Sequence, residues 1–135
     1  METIEQLARH LRDNGYPMVW TSDERTHVAV HDLQVARIAS GWRVFETERN
    51  QVIATYAETP DESVASRLFL QLVSARIYHL RTYRDAGSVE KLEAALGMAA
   101  VPFQRNDVPY EGLLRVFVTG VDLLRAQKVV AGLSA

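Results

Sequence analysis

Four histidines and one pair of glutamates come closest to a reactive constellation in this chain. His27 and His31, on one face of a strand, would stand about 13 Å apart at roughly 3.3 Å per residue, too far to share a metal ion without a kink. His10 and His79 fall in segments with helical periodicity. Neither has a second ligand one turn away beyond the single pairing of His10 with Asp13, which leaves a metal short of donors. Glu46 and Glu48 would lie on one strand face about 7 Å apart, a separation that suits paired acid–base work. No histidine or polar nucleophile is tied to them by a recognisable spacing, and solvated charge beside a turn is the better reading of the pair. An enzyme would have to use Glu46, Glu48 or His27 as its proton-transfer groups.

Composition removes other chemistries. The chain has no cysteine, so disulfides, thiolate nucleophiles and cysteine-held zinc or iron–sulfur centres are excluded. Its seven glycines are scattered and form neither a phosphate cradle nor a G-x-S-x-G elbow. The expectation is therefore a non-enzyme with no cofactor and no metal. No basic block or basic–aromatic stripe occurs, which argues against a nucleic-acid partner. No apolar run approaches about 18 residues, and the opening METIEQLARHLRDNGY is amphipathic without an apolar core, so neither a membrane span nor a signal peptide is expected and the cytoplasm is the expected location.

At 135 residues, 47% apolar and 24% charged, the chain has the make-up of an ordinary globular protein that buries its own core. Charge is unevenly spread. Residues 1–62 hold 11 acidic and 6 basic side chains, and residues 63–135 hold 6 and 9. This asymmetry could steer a charged partner if folding keeps the halves apart.

The elements that would position these residues can be followed along the chain. Thr3 and Gln6 form a capping box before Ile4, Leu7, Ala8 and Leu11, and Asn14-Gly15 stops that helix. Tyr16-Pro17-Met18-Val19-Trp20 is a short apolar run that Pro17 marks as a strand start or an edge. From Arg25 to Ala57 a period of two dominates. Val28 and Val30 oppose His27, Ala29 and His31; LQVARIAS, WRVFETE and QVIATYA follow, separated by Ser40-Gly41 and by a polar turn. This predicts an antiparallel meander of three or four strands. Trp42, Val44 and Glu46 share one face of their strand, with Arg43, Phe45 and Thr47 on the other.

The period then changes. Thr59 as cap, Pro60 at the first helical position and Glu62 closing a capping box start a helix, with Asp61 and Glu62 favoured by its dipole. Val64, Ala65, Leu68, Phe69, Leu72, Val73, Ile77 and Leu80 extend it to some 20 residues, about 30 Å. Tyr78 and Tyr83 with Arg76, Arg81 and Arg84 would form a Tyr/Arg-rich patch at its end, of a composition favoured at protein interfaces. A break at RDAGS precedes a helix capped by Ser88 and ending at Gly97, strands VPFQR and LLRVFVT around the loop NDVPYEG, and a closing helix VDLLRAQKVV. The expected architecture is α+β, an antiparallel β-meander packed by a long central helix and followed by a helix–strand–strand–helix unit. It forms a single domain, 1–135, divisible into subunits 1–84 and 88–135.

An N-terminal helix ending in NGY, the hairpin WRVFETERNQVIATYAET and the helix DESVASRLFLQLV together resemble small immunity proteins of bacterial polymorphic-toxin and contact-dependent inhibition systems. Trp42, Val44, Glu48 and Arg49 carry the strand part of the resemblance, and Ser63 with Phe69-Leu70 the helix part, over roughly residues 4 to 75. The resemblance implies a non-catalytic protein that binds and neutralises a cognate toxin domain. The tail RVFVTGVDLLRAQKVV is separately similar to the strand–helix end of small ferredoxin-like regulatory modules. That leaves a second expectation open, a regulatory or ligand-binding module acting as a monomer or dimer. For the toxin-binding reading, the expected interface is the exposed side of the hairpin and the neighbouring helix start: Glu46, Glu48, Arg49, Glu58, Asp61 and Glu62, with Trp42 and Tyr56 as anchors.

Overall fold

The computed structural model describes residues 2–16 and 19–134, with every side chain in those ranges except those of Trp20 and Ser134. Among the described residues the fold is α+β, with four α-helices, a five-stranded antiparallel meander and a three-stranded sheet. The chain forms two compact units, Met1–Ser74 and Ala75–Ala135.

In the first unit, α1 (Ile4–Asp13) starts on the expected capping box. The Gln6 N–H donates to Thr3 Oγ1 at 3.1 Å, and Gln6 Oε1 accepts the Thr3 N–H at 3.2 Å. Its apolar stripe, Ile4, Leu7, Ala8 and Leu11, is completely buried. Strands β1 (Val19–Asp23), β2 (His27–Val30), β3 (Leu33–Ile38), β4 (Gly41–Glu48) and β5 (Gln51–Thr59) pair in chain order. Four of these strands, β2 to β5, make up the meander expected from Arg25 to Ala57, and the separately expected strand start before it supplies β1 at the edge, paired with β2. Pro17 and Met18, on which the expectation of a strand start partly rested, lie outside the described residues.

Register explains which sheet face is buried. Val28 stands opposite Val35, Val35 opposite Val44, and Val30 opposite Leu33, so β-branched and aliphatic side chains line up across three strands on one face. This face is the core, together with Trp42 and the buried side of α2 (Glu62–Ala75), namely Ala65, Ser66, Phe69 and Val73. The Tyr16 hydroxyl lies 3.2 Å from Ser74 Oγ, and Arg67 pairs with Glu2 at 2.5 Å; these contacts tie α2 to both ends of α1.

Helix α2 departs from expectation at both ends. Its N-terminus is capped by Asp61, not by Thr59 with Glu62. Asp61 Oδ1 accepts the Ser63 N–H at 2.9 Å and the Asp61 carbonyl accepts the Ala65 N–H, while Thr59 remains in β5 and its hydroxyl accepts the Asp61 N–H. At the other end the helix stops at Ala75 after 14 residues. The next seven residues form strand β6 (Ile77–Tyr83), so His79, Tyr78 and Tyr83 are strand residues rather than helical ones. Ile77 and Leu80 continue a helical spacing, but a short apolar run rich in aromatic and branched residues satisfies a strand equally, and pairing with a distant strand decided it.

In the second unit, β6 leads to α3 (Ala86–Met98), β7 (Gln104–Arg105), β8 (Leu114–Thr119) and α4 (Leu123–Ser134). The sheet order β6-β8-β7 places β8 between two strands joined through α3, a split βαβ arrangement. Asp85, not Ser88, caps α3, accepting the Ser88 N–H at 2.8 Å. Helices α3 and α4 both lie against β6 and β8 and against each other. The core is Tyr78, Val89, Leu92, Leu96, Val116, Val118, Leu123 and Ala126.

Candidate functional site

The β4–β5 hairpin is where the first unit presents apolar and charged groups together. Strand β5 is an edge of the sheet, and its pairing with β4 slips twice. Between the pairs Val44–Ala57 and Phe45–Thr55, β5 advances by two residues while β4 advances by one, leaving Tyr56 as the extra residue. The same happens between Glu46–Ala54 and Thr47–Val52, where Ile53 is extra. A bulged residue is released from the strict in–out alternation of the ladder and its side chain is re-aimed. Accordingly Ile53 is 55% and Tyr56 41% exposed, among the large apolar side chains most open to solvent in the first unit. The bulges also twist the open edge, a device that discourages strand-to-strand pairing with another chain.

Carboxylates frame these two side chains. The Tyr56 hydroxyl donates to Glu46 Oε1 at 2.6 Å, which holds the phenol ring in place. Glu48 is exposed at the hairpin end. Arg49 and Asn50 form the turn in left-handed conformations, φ 51° and 65°, the backbone that a two-residue hairpin turn demands. Glu58 faces Arg43 on the outer side of the sheet, Oε1 to Nε at 3.6 Å.

The sequence-expected interface residues are strung along the hairpin and on to the start of α2. Glu48 and Arg49 stand at the hairpin end with exposed Val52 and Ile53 beside them, and Glu46 and Tyr56 meet farther along the strands. Glu58 stands opposite Arg43, three β4 residues or about 10 Å from Glu46 and five or about 17 Å from Glu48, and Asp61 and Glu62 follow past the end of β5. Trp42 is only 7% exposed and belongs to the core, so it cannot anchor a partner. Ile53 was missed because regular alternation through QVIATYA assigns it no special role; only a bulge does.

The outer face of the meander holds a second feature. Gln34 Nε2 donates to Thr47 Oγ1 at 2.9 Å, which turns the amide oxygen toward His27 and makes His27 Nε2, 2.8 Å away, the donor. His31 and Asp32 form the tight turn between β2 and β3, with His31 at φ 53°, so His31 is a turn residue rather than a member of the strand. Together with Ala29 and Asn50 these side chains line an open concavity of about 600 Å³.

Two carboxyls outside this concavity are shifted. The Ser63 hydroxyl, then its N–H, hold Asp61 below the usual carboxylate range, and the Ser88 N–H does most to lower Asp85. Both act as helix caps. Among the described residues no three His, Cys, Asp or Glu side chains are grouped to hold a metal ion, and no helix is long and apolar enough to cross a membrane. No protein-family model, curated protein or solved structure matches the chain.

Proposed function

We propose that the chain is a protein-binding module that acts in the bacterial cytoplasm as an immunity protein, neutralising a cognate toxin domain through the hairpin end of its first unit and without chemistry of its own. One observation carries this reading: two bulges in a single edge strand turn Ile53 and Tyr56 outward inside a frame of Glu46 and Glu48. An aromatic and an aliphatic anchor surrounded by charge is the anatomy of an interface whose affinity is concentrated in a few side chains. The surrounding carboxylates select a basic partner surface, as a nucleic-acid-degrading toxin domain would present, and speed its approach. Charge supports the same direction, since residues 1–74 carry 11 acidic against 7 basic side chains.

The test is co-expression with the toxin domain encoded beside the gene, and measurement of affinity between the purified proteins. Growth should be protected by the wild-type chain, and Ile53→Asp combined with Tyr56→Ala should weaken binding by about a hundredfold or more while leaving the circular dichroism unchanged. Protection that survives both replacements, or a neighbouring gene without a toxin domain, would sink the reading.

The concavity on the outer sheet face favours a second reading, a module that senses a small polar ligand through His27, Gln34 and Thr47. Its lining is polar and open, whereas small-molecule sites are mostly apolar and enclosed. A rise in melting temperature with a metabolite, abolished by Gln34→Leu, is the outcome this reading requires.

A further inference from the structure

The three-stranded sheet of the second unit is covered by α3 and α4 on one face, and its other face brings rings, a guanidinium and an amide together. Register places His79 of β6 opposite Phe117 of β8, and Phe117 opposite Gln104 of β7. A ring, a second ring and an amide thus form a row across the sheet, about 10 Å from first strand to last. The rings meet edge to face, with centroids 5.6 Å apart and planes at 70°. In the neighbouring row Arg115 faces Thr82, and its guanidinium carbon stands 5.5 Å from the Phe117 ring centroid. His79 Nε2 lies 2.6 Å from Thr82 Oγ1, which braces the imidazole beside the phenyl ring. None of the three strands, IYHLRTY, QR and LRVFVT, contains a carboxylate. His79, Arg81, Thr82 and Gln104 are exposed, Phe117 and Arg115 half-buried.

We propose that this face is a stacking platform for single-stranded nucleic acid. The exposed His79 ring offers a base a π-face next to the half-buried Phe117 ring. The Arg115 guanidinium lying over Phe117 adds both a plane on which a base stacks and a charge for its phosphate, and an amide at the end of the row can hydrogen-bond a base edge. A protein partner would call for large exposed aliphatic side chains, of which this face has only Ile77 at its end. A duplex is disfavoured because its paired and stacked bases hide the faces that a ring must meet. The electrostatics agree: residues 75–135 hold 8 basic and 6 acidic side chains, the reverse of the first unit. The sequence pattern conceals the platform because its members come from three strands, at positions 79, 104, 115 and 117. The inference is independent of the toxin-binding reading, which concerns other residues.

Fluorescence anisotropy of the full chain with labelled single-stranded RNA and DNA homopolymers of roughly ten nucleotides tests it, at about 50 and 200 mM salt. Saturable binding is expected, weaker at the higher salt, with the corresponding duplex bound at least about tenfold less tightly. Phe117→Ala should weaken binding by about tenfold or more, Phe117→Tyr should restore it, and Arg115→Gln should weaken it and flatten the salt dependence. Ile53→Asp should change nothing, which separates this surface from the hairpin. The exposed Gln104→Ala keeps the test open if Phe117→Ala fails to fold: it should alter the ranking among homopolymers. Absence of saturable binding at low salt, equal affinity for the duplex, displacement by free uridine monophosphate as tight as by the polymer, or indifference to both Arg115→Gln and Gln104→Ala would each overturn the proposal.

Discussion

The hairpin end of the first unit and the open sheet face of the second expose rings in opposite settings. Tyr56 and Ile53 protrude among Glu46 and Glu48 because β5 slips its register twice. Phe117 and His79 lie in a regular cross-strand pair, with Arg115 beside them and no carboxylate on their strands. The first surface is made by two irregularities in its ladder. The second pairs His79 directly with Phe117, and one register shift just after His79 brings Thr82 and Arg115 onto the same face. Antiparallel pairing supports both, and what distinguishes them is which residue a bulge releases and which charges stand next to it.

The largest way to break the comparison is through the cores that hold each surface. Phe69 is fully buried, and Phe69→Ala should cost about 3–5 kcal/mol by denaturant titration; Leu92→Ala, its counterpart in the second unit, should cost about 2–5 kcal/mol. Both tryptophans belong to the first unit, so Phe69→Ala should shift the transition seen in tryptophan emission. A loss under about 1 kcal/mol would mean that Phe69 is not packed as described.

A smaller effect probes the base of the hairpin alone. Gly41 has φ +136°, and a Cβ there would stand 2.4 Å from the Thr59 carbonyl oxygen and 2.5 Å from Pro60 Cα. Gly41→Ala should therefore destabilise by about 1–3 kcal/mol or more, since backbone strain and a clash with backbone atoms coincide. Thermal melting of the variant checks it.

Among the described residues Ser66 has no counterpart in the second unit. It is fully buried on α2 and its hydroxyl finds no hydrogen-bond partner among the described residues. A desolvated, unpaired hydroxyl is a cost, so Ser66→Ala should be neutral or stabilise by up to about 1 kcal/mol. A clear loss of stability in denaturant would show that the hydroxyl does bond.

The smallest expected effect sets one helix cap against the other. Asp61 and Asp85 both titrate below the ordinary 3.8, so the native state binds their protons less readily than the unfolded chain does. Their contribution is complete above that ordinary value and is lost as pH falls through the lower native one. Asp61→Asn and Asp85→Asn should each flatten the acid limb of the stability curve below about pH 4 and leave neutral-pH stability nearly unchanged, because asparagine also caps well. An unchanged acid limb in both variants would count against these hydrogen bonds.

Local signals were legible in the sequence where a motif and its partner lie within one turn or one hairpin. The Thr3–Gln6 capping box, the stop at Asn14-Gly15, and the burial of Val28, Val30 and Val44 depend on neighbours a few residues away, and the pattern reports them directly. Periodicity alone carries the helix at Val64 too far, because Ile77 and Leu80 satisfy its period although they belong to β6. The charged and aromatic members of the hairpin were legible too, but their arrangement was not, since Trp42 turned inward and Ile53 outward.

From its order of residues alone the chain determines an α+β fold, an acidic first half, a basic second half and the absence of cysteine chemistry. Tertiary structure decided the rest: that residues 77–83 pair as a strand with 114–119, that two bulges aim Ile53 and Tyr56 outward, and that His79, Gln104, Arg115 and Phe117 share one face. The physical reason is the range of the bonds involved. A helix cap closes within four residues, whereas a sheet ladder closes across tens, and its register, with every side chain that register exposes, exists only once both strands are in place.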